Sequence, residues 1–154
     1  MMAQMTVSIE TASIHHLDEL YEIEKECFSK EAFTERQIAH LLTDYNSLSL
    51  VAKENSKIVG FIIGAVHVEG SSSIAHILTI DVSPQNRRRG IGLKLLQEIE
   101  RIFKEKNVET CFLEVREDNV QALSLYEGIG YKGIGRLKNY YGDTHGLQLR
   151  KDLT

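Results

Sequence analysis

Arg87-Arg88-Arg89-Gly90-Ile91-Gly92 sets three arginines and two glycines side by side, and an apolar 3.6-residue period opens directly behind them. That order of residue types suits an oxyanion. A helix start carries backbone N–H groups with no partner inside the helix, together with a partial positive charge, and glycine leaves them uncovered. Phosphate oxygens satisfy both, and the arginines add charge at the mouth. The loop is not a Gly-x-x-x-x-Gly-Lys-Ser/Thr motif, and Leu95 stands where a dinucleotide fingerprint would carry its third glycine. The bland alternative is a basic surface turn that happens to hold two glycines.

Proton-moving groups are few. Glu114 interrupts the apolar run Cys111-Phe112-Leu113-Glu114-Val115, where a carboxylate is costly unless it faces a cleft or finds a partner. Two readings stand: a solvent-facing residue paired with Arg116, or a general base acting directly or through a water. His76 alternates with Leu78 and Ile80 on one strand face, either as a structural residue or as the holder of an ordered water. His145, in a turn between strand-like runs, reads as exposed. Cys27 and Cys111 lie far apart with no C-x-x-C spacing, so neither a zinc site nor a disulfide framework is indicated, no metal is expected, and a reducing cytoplasmic setting is the natural one.

The elements that must position these residues follow from periodicity. Thr6–Glu10 alternates as a strand; Ile14, Leu17, Leu20, Tyr21, Ile23 and Glu24 give a helical period, and Thr34 caps a second helix carrying Ile38, Leu41 and Leu42. Leu48–Glu54 and Ile58–Val68, joined by Asn55-Ser56-Lys57, form a hairpin, and Ile74–Val82 is the next strand. A helix from Gly90 to about Lys106 places Ile91, Leu95, Ile99 and Ile102 on one stripe, which Leu96 and Phe103 widen. Thr110–Val115 is a strand, Asn119–Glu127 a short helix ended by Gly128 and Gly130, and Tyr131–Asp152 holds further strands. Helices and hairpins together imply an α/β fold with a mixed sheet of six to seven strands and about four helices.

Size and charge narrow the partners. A chain of 154 residues fits one domain, spanning 1–154, and 42% hydrophobic with 26% charged residues is an ordinary globular composition. The net charge of −4 supplies no global positive field for nucleic acid or anionic lipid. Met1–Met5 has no basic run ahead of an apolar one, and the longest apolar stretch, Ile58–Val66, is too short to span a bilayer.

Two stretches carry a resemblance. Val82-Ser83-Pro84-Gln85-Asn86-Arg87-Arg88-Arg89-Gly90-Ile91-Gly92-Leu93-Lys94-Leu95-Leu96 resembles motif A of the GNAT superfamily of acyl-CoA-dependent N-acetyltransferases, with its signature Gln/Arg-x-x-Gly-x-Gly/Ala. Leu113-Glu114-Val115-Arg116-Glu117-Asp118-Asn119-Val120-Gln121-Ala122-Leu123-Ser124-Leu125-Tyr126-Glu127-Gly128-Ile129-Gly130-Tyr131 is similar to the second motif in the branch that acetylates protein amino termini, which includes the ribosomal-protein-alanine acetyltransferases. The resemblance implies the GNAT fold, acetyl-CoA as co-substrate, and an acyl-CoA lying between the strands Ile74–Val82 and Thr110–Val115. It implies that the backbone of Ile80 and Val82 pairs with the pantetheine, that Arg87 to Gly92 hold the pyrophosphate, and that Asn119 contacts the cofactor. By the same resemblance Tyr126 points its hydroxyl at the thioester sulfur as general acid, although its spacing from Ala122 and Leu123 suits a core tyrosine equally well. Tyr140-Tyr141 resembles the double tyrosine at the peptide entrance, but only one carboxylate, Asp143, follows where the family carries an acidic pair. Cys27-Phe28-Ser29-Lys30-Glu31-Ala32-Phe33 resembles the opposite wall, with Phe28 and Phe33 against the first substrate side chains or, alternatively, anchored in the core.

A free α-amine, with a pKa of about 7.7–8 against about 10.4 for lysine, is partly deprotonated at neutral pH and asks little of a base. Expectation therefore settles on transfer to the α-amino group of a protein or peptide N-terminus. A small-molecule amine, a lysine, or binding of acyl-CoA without turnover are the alternatives. Whether the chain forms a homo-oligomer or meets the ribosome is not written in the sequence.

Overall fold

Seven strands hydrogen-bond in the order β1-β2-β3-β4-β5-β7-β6 in the computed structural model, which describes residues 6–154. The stretch Met1–Met5, in which no targeting run is expected, lies outside the described residues. The strands are β1 (Val7–Thr11), β2 (Ser47–Glu54), β3 (Lys57–Glu69), β4 (Ser72–Val82), β5 (Thr110–Arg116), β6 (Lys132–Leu137) and β7 (Gly146–Asp152). The helices are α1 (Leu17–Cys27), α2 (Glu35–Thr43), α3 (Ile91–Glu105) and α4 (Val120–Gly128), with short 3-10 turns at Ile14–His16 and Pro84–Asn86. The mixed α/β sheet expected from the sequence is thus present in its seven-stranded form. None of the described helices is long and apolar enough to cross a membrane, and no group of metal-ligating side chains forms among the described residues.

Two compact units divide the chain: one runs to Gly64 and adds Thr79–Arg101, the other joins Ala65–Leu78 to Ile102–Thr154. In the first unit, β2 and β3 connect through Asn55 and Ser56, both with positive φ (52° and 67°), the twist that a two-residue hairpin needs. The run Ile58–Gly64 of β3 is buried throughout, as befits a strand covered on both faces. Helix α2 begins in the predicted way. Thr34 Oγ1 accepts from Gln37 N–H (3.1 Å) while Gln37 Oε1 accepts from Thr34 N–H (2.8 Å), a reciprocal capping box. The stripe of α3 is buried as expected at Ile91, Leu95, Leu96, Ile99 and Phe103, and only Ile102 is left half-buried.

In the second unit β5 alternates cleanly, with Cys111, Leu113 and Val115 buried and Phe112, Glu114 and Arg116 on the opposite, part-exposed face. It pairs in parallel with β4 over four residues, Ile74↔Thr110 to Ile77↔Leu113, and antiparallel with β7 over its whole length, including Glu114↔Gln148 and Arg116↔Gly146. The parallel register therefore stops one step short of Leu78 and Glu114.

Candidate active site

The loop ahead of α3 lies in the first unit. Arg88 and Gly90 both adopt left-handed backbone (φ 63° and 78°), and Gly90 can do so without Cβ strain. A Cβ built at Gly90 would meet nothing within 4 Å, so the glycine answers to backbone conformation and to open space above the loop. The first backbone bond of α3 is Lys94 N–H to Gly90 O (3.0 Å), and among the described residues the amides of Ile91, Gly92 and Leu93 make none. This is the exposed row of donors that an anion fits.

The three arginines divide their work. Arg89 forms a two-pronged ion pair with Glu54 at the end of β2 and donates to Asn86 Oδ1 (2.8 Å), which fastens the loop and holds the Glu54 carboxyl below its ordinary range. Arg87 donates through Nε to Val82 O (3.2 Å) and through Nη2 to Cys27 Sγ (3.5 Å). Arg88 is exposed and has no side-chain partner among the described residues. The Val82 carbonyl also accepts from the Cys27 thiol (3.3 Å), so that oxygen of β4 is engaged within the protein, while Ile80 lies on the same strand face, half-buried. Burial pushes the Cys27 thiol up to about 11, which keeps it protonated at neutral pH and unsuited to nucleophilic attack.

Beneath the same strand lies a group that sequence reading did not single out. Glu24 of α1 is fully buried, its Oε2 accepting from Phe33 N–H (3.0 Å). The Thr79 hydroxyl lies 3.2 Å from Glu24 Oε1 and 2.6 Å from Asp81 Oδ1. Burial, and then the neighbouring Glu24 charge, raise the Asp81 carboxyl well above its ordinary range. The signal was present: Glu24 falls in the apolar period of α1, and Asp81 alternates with Ala75, Ile77 and Thr79. This cluster ties the α1–α2 connection to β4. Phe28 and Phe33 on that connection are half-buried, neither sealed in the core nor fully exposed.

The residues expected to move protons lie in the second unit. His76 Nε2 lies 2.6 Å from Glu114 Oε1, and Gln148 Nε2 donates to Glu114 Oε2 (3.3 Å). The side chains of His76 and Glu114 are 30% and 15% exposed, enough for a substrate to reach and too little for free solvation. The pairing of Glu114 with Arg116, one of the two sequence readings, does not occur. Arg116 turns to Asp118 and Asp143 instead, and the carboxylate is braced from β4 and β7. Gln148 was missed because a lone glutamine in a strand carries no signal until register sets it opposite Glu114. Burial, and then the Glu114 charge, hold the Tyr140 phenol above its ordinary range. The Tyr140 and Tyr141 rings meet edge to face at 4.9 Å, with Tyr140 54% exposed.

Tyr126 is buried in α4 at 6.0 Å from the Tyr131 ring, also edge to face. Asn119 caps that helix, its Oδ1 accepting from Ala122 N–H (3.1 Å). His145 is more than an exposed turn residue, since its Nδ1 accepts from Asn139 N–H (2.9 Å) and shapes the β6–β7 connection.

Residues 17–131 match the family model described as Acetyltransferase (GNAT) family. The chain belongs to this family. An N-alpha-acetyltransferase of Sulfurisphaera tokodaii is 35% identical over 112 residues, 66% of this chain and 66% of that protein. The [Ribosomal protein bS18]-alanine N-acetyltransferase of Escherichia coli is 31% identical over 101 residues, again 66% of each chain. These alignments span just under two thirds of either relative. The crystal structure of the ribosomal-protein-S18-alanine N-acetyltransferase from Escherichia coli superposes with a TM-score of 0.88 at 25% identity, covering 97% of this chain and 95% of that one. GNAT membership thus accounts for the mixed sheet as well as for both motifs.

Proposed function

We propose that this protein transfers the acetyl group of acetyl-CoA to the α-amino group of a protein or peptide N-terminus, by direct attack of the amine. The observation that carries the proposal is Glu114, a part-buried carboxylate held by His76 and Gln148 on the open face of β5. A carboxylate fixed in this way has the geometry of a proton acceptor.

The residues present suit acetyl-CoA as co-substrate. The free amides of Ile91, Gly92 and Leu93, the left-handed Gly90 and the unpartnered Arg88 would hold its pyrophosphate, with Arg87 and Arg89 shaping the loop. Strand residue Ile80 would pair with the pantetheine, with the Val82 carbonyl already claimed by Arg87 and Cys27. When bound, acetyl-CoA supplies an activated acetyl thioester. Glu114 takes the proton from the attacking α-amine, directly or through a water that His76 helps to hold. Tyr126 supplies a proton to the departing sulfur, and Asn119 contacts the co-substrate from the head of α4. Phe28, Phe33, Tyr140 and Tyr141 are the residues assigned to the first side chains of the acceptor.

The likeness to an N-alpha-acetyltransferase and to a ribosomal-protein-alanine acetyltransferase supports a protein N-terminus as the acceptor. The test is mass-spectrometric. Peptides that vary in their first residue are incubated with acetyl-CoA, each beside a copy whose α-amine is blocked and whose lysine is free. Acetylation of the free-terminus copies alone is the expected result. Modification of the blocked copies, or of polyamines only, would move the acceptor to lysine or to a small amine.

A further inference from the structure

Arg116 closes β5 with its guanidinium plane fully committed. Nε and Nη2 reach the two oxygens of Asp118 (3.0 and 3.1 Å), while Nη1 and Nη2 reach the two oxygens of Asp143 (3.1 Å each). Its Cζ stands 5.5 Å from the centre of the Tyr141 ring, which in turn meets Tyr140 at 4.9 Å. The strand end is thereby latched to the turn that carries both tyrosines. Further bonds run the same way, Glu117 N–H to His145 O (3.0 Å) and Asn139 N–H to His145 Nδ1 (2.9 Å). Opposite Arg116 in the β5–β7 register stands Gly146, where an added Cβ would lie 3.1 Å from Tyr140 and 3.2 Å from Tyr141, so the rings press directly on the strand backbone.

We propose that Arg116 is a positioning residue for the acceptor: through Asp143 and Tyr141 it fixes the pitch of the Tyr140–Tyr141 wall two residues beyond Glu114. The inference rests on the acceptor reading above. Arg116 touches no reacting atom, and both oxygens of Asp143 accept from it while the carboxylate itself stays exposed. Lysine cannot replace the latch, because a point charge on a flexible stem does not present two forks in one plane.

The experiment compares Arg116→Ala, Arg116→Lys, Asp143→Asn and the double variant Arg116→Ala/Asp143→Asn on one good peptide substrate, with acetyl-CoA affinity read by calorimetry. For Arg116→Ala the acceptor KM rises about tenfold while kcat stays within about twofold and acetyl-CoA affinity holds, since only acceptor placement is lost. Asp143→Asn gives a similar rise, the double variant adds little to either single change, and Arg116→Lys recovers only part of it. Should Arg116→Ala fail to fold, Asp143→Asn breaks the same latch without removing the long side chain. An unchanged KM, additive effects, or a joint fall in kcat, acetyl-CoA affinity and melting temperature would overturn the role given to Arg116. A wild-type protein that acetylates no peptide would refute the acceptor reading itself, a result distinct from an active wild type with an indifferent Arg116→Ala.

Discussion

Glu114→Gln keeps the shape of the side chain while removing the charge proposed to accept the proton and one of the two oxygens that meet His76 and Gln148. Initial-rate kinetics should show kcat reduced about a hundredfold, within the usual range for loss of a general base, with acetyl-CoA affinity unchanged. A variant with full turnover would remove Glu114 from the mechanism. The residue was legible because a carboxylate stood in an apolar strand, and so was His76 by alternation on β4. Their mutual contact was not, since it depends on β4 and β5 pairing in a register that leaves His76 opposite Phe112 and within reach of Glu114. Arg116 was visible only as a possible partner for Glu114, because sequence cannot tell which of several nearby carboxylates a long guanidinium will choose. Glu24 and Asp81 show the same limit: each was in view on its own element, and only the packing of α1 under β4 made them neighbours.

At the scale of elements, the α3 head and the Thr34 cap of α2 were readable because their signals are local, a glycine in the loop and a threonine ahead of an apolar period. Gly60 was not. A Cβ there would lie 2.7 Å from Asp81 O, so the bare backbone lets that carbonyl of β4 approach β3. Gly60→Ala should lower stability by about 1–3 kcal/mol, the usual cost of overpacking, in urea unfolding. A variant as stable as the parent would mean that β3 and β4 have room to spare. That Ile102 alone of the α3 stripe is half-buried was not legible either, since a period marks an apolar face and only packing decides where its edge falls.

For the molecule as a whole, the raised Asp81 carboxyl links stability to pH. A carboxyl whose folded pKa is raised binds its proton more tightly when folded than when unfolded. Its contribution is complete below the ordinary value of 3.8 and is lost as pH climbs through the raised folded value. Asp81→Asn keeps an acceptor for the Thr79 hydroxyl and removes the titration. Urea unfolding from about pH 5 to pH 8 should therefore show the variant gaining on the wild type as pH rises, and parallel curves would mean that Asp81 is charged in the folded protein. The central claim is that amides at the head of α3, uncovered by Gly90 and assisted by Arg88, hold the pyrophosphate of acetyl-CoA. Calorimetric titration tests it most directly: a saturable heat with acetyl-CoA is predicted for the wild type, weakened at least about tenfold in folded Gly90→Val. No heat from the wild type, or equal binding by the variant, would contradict it.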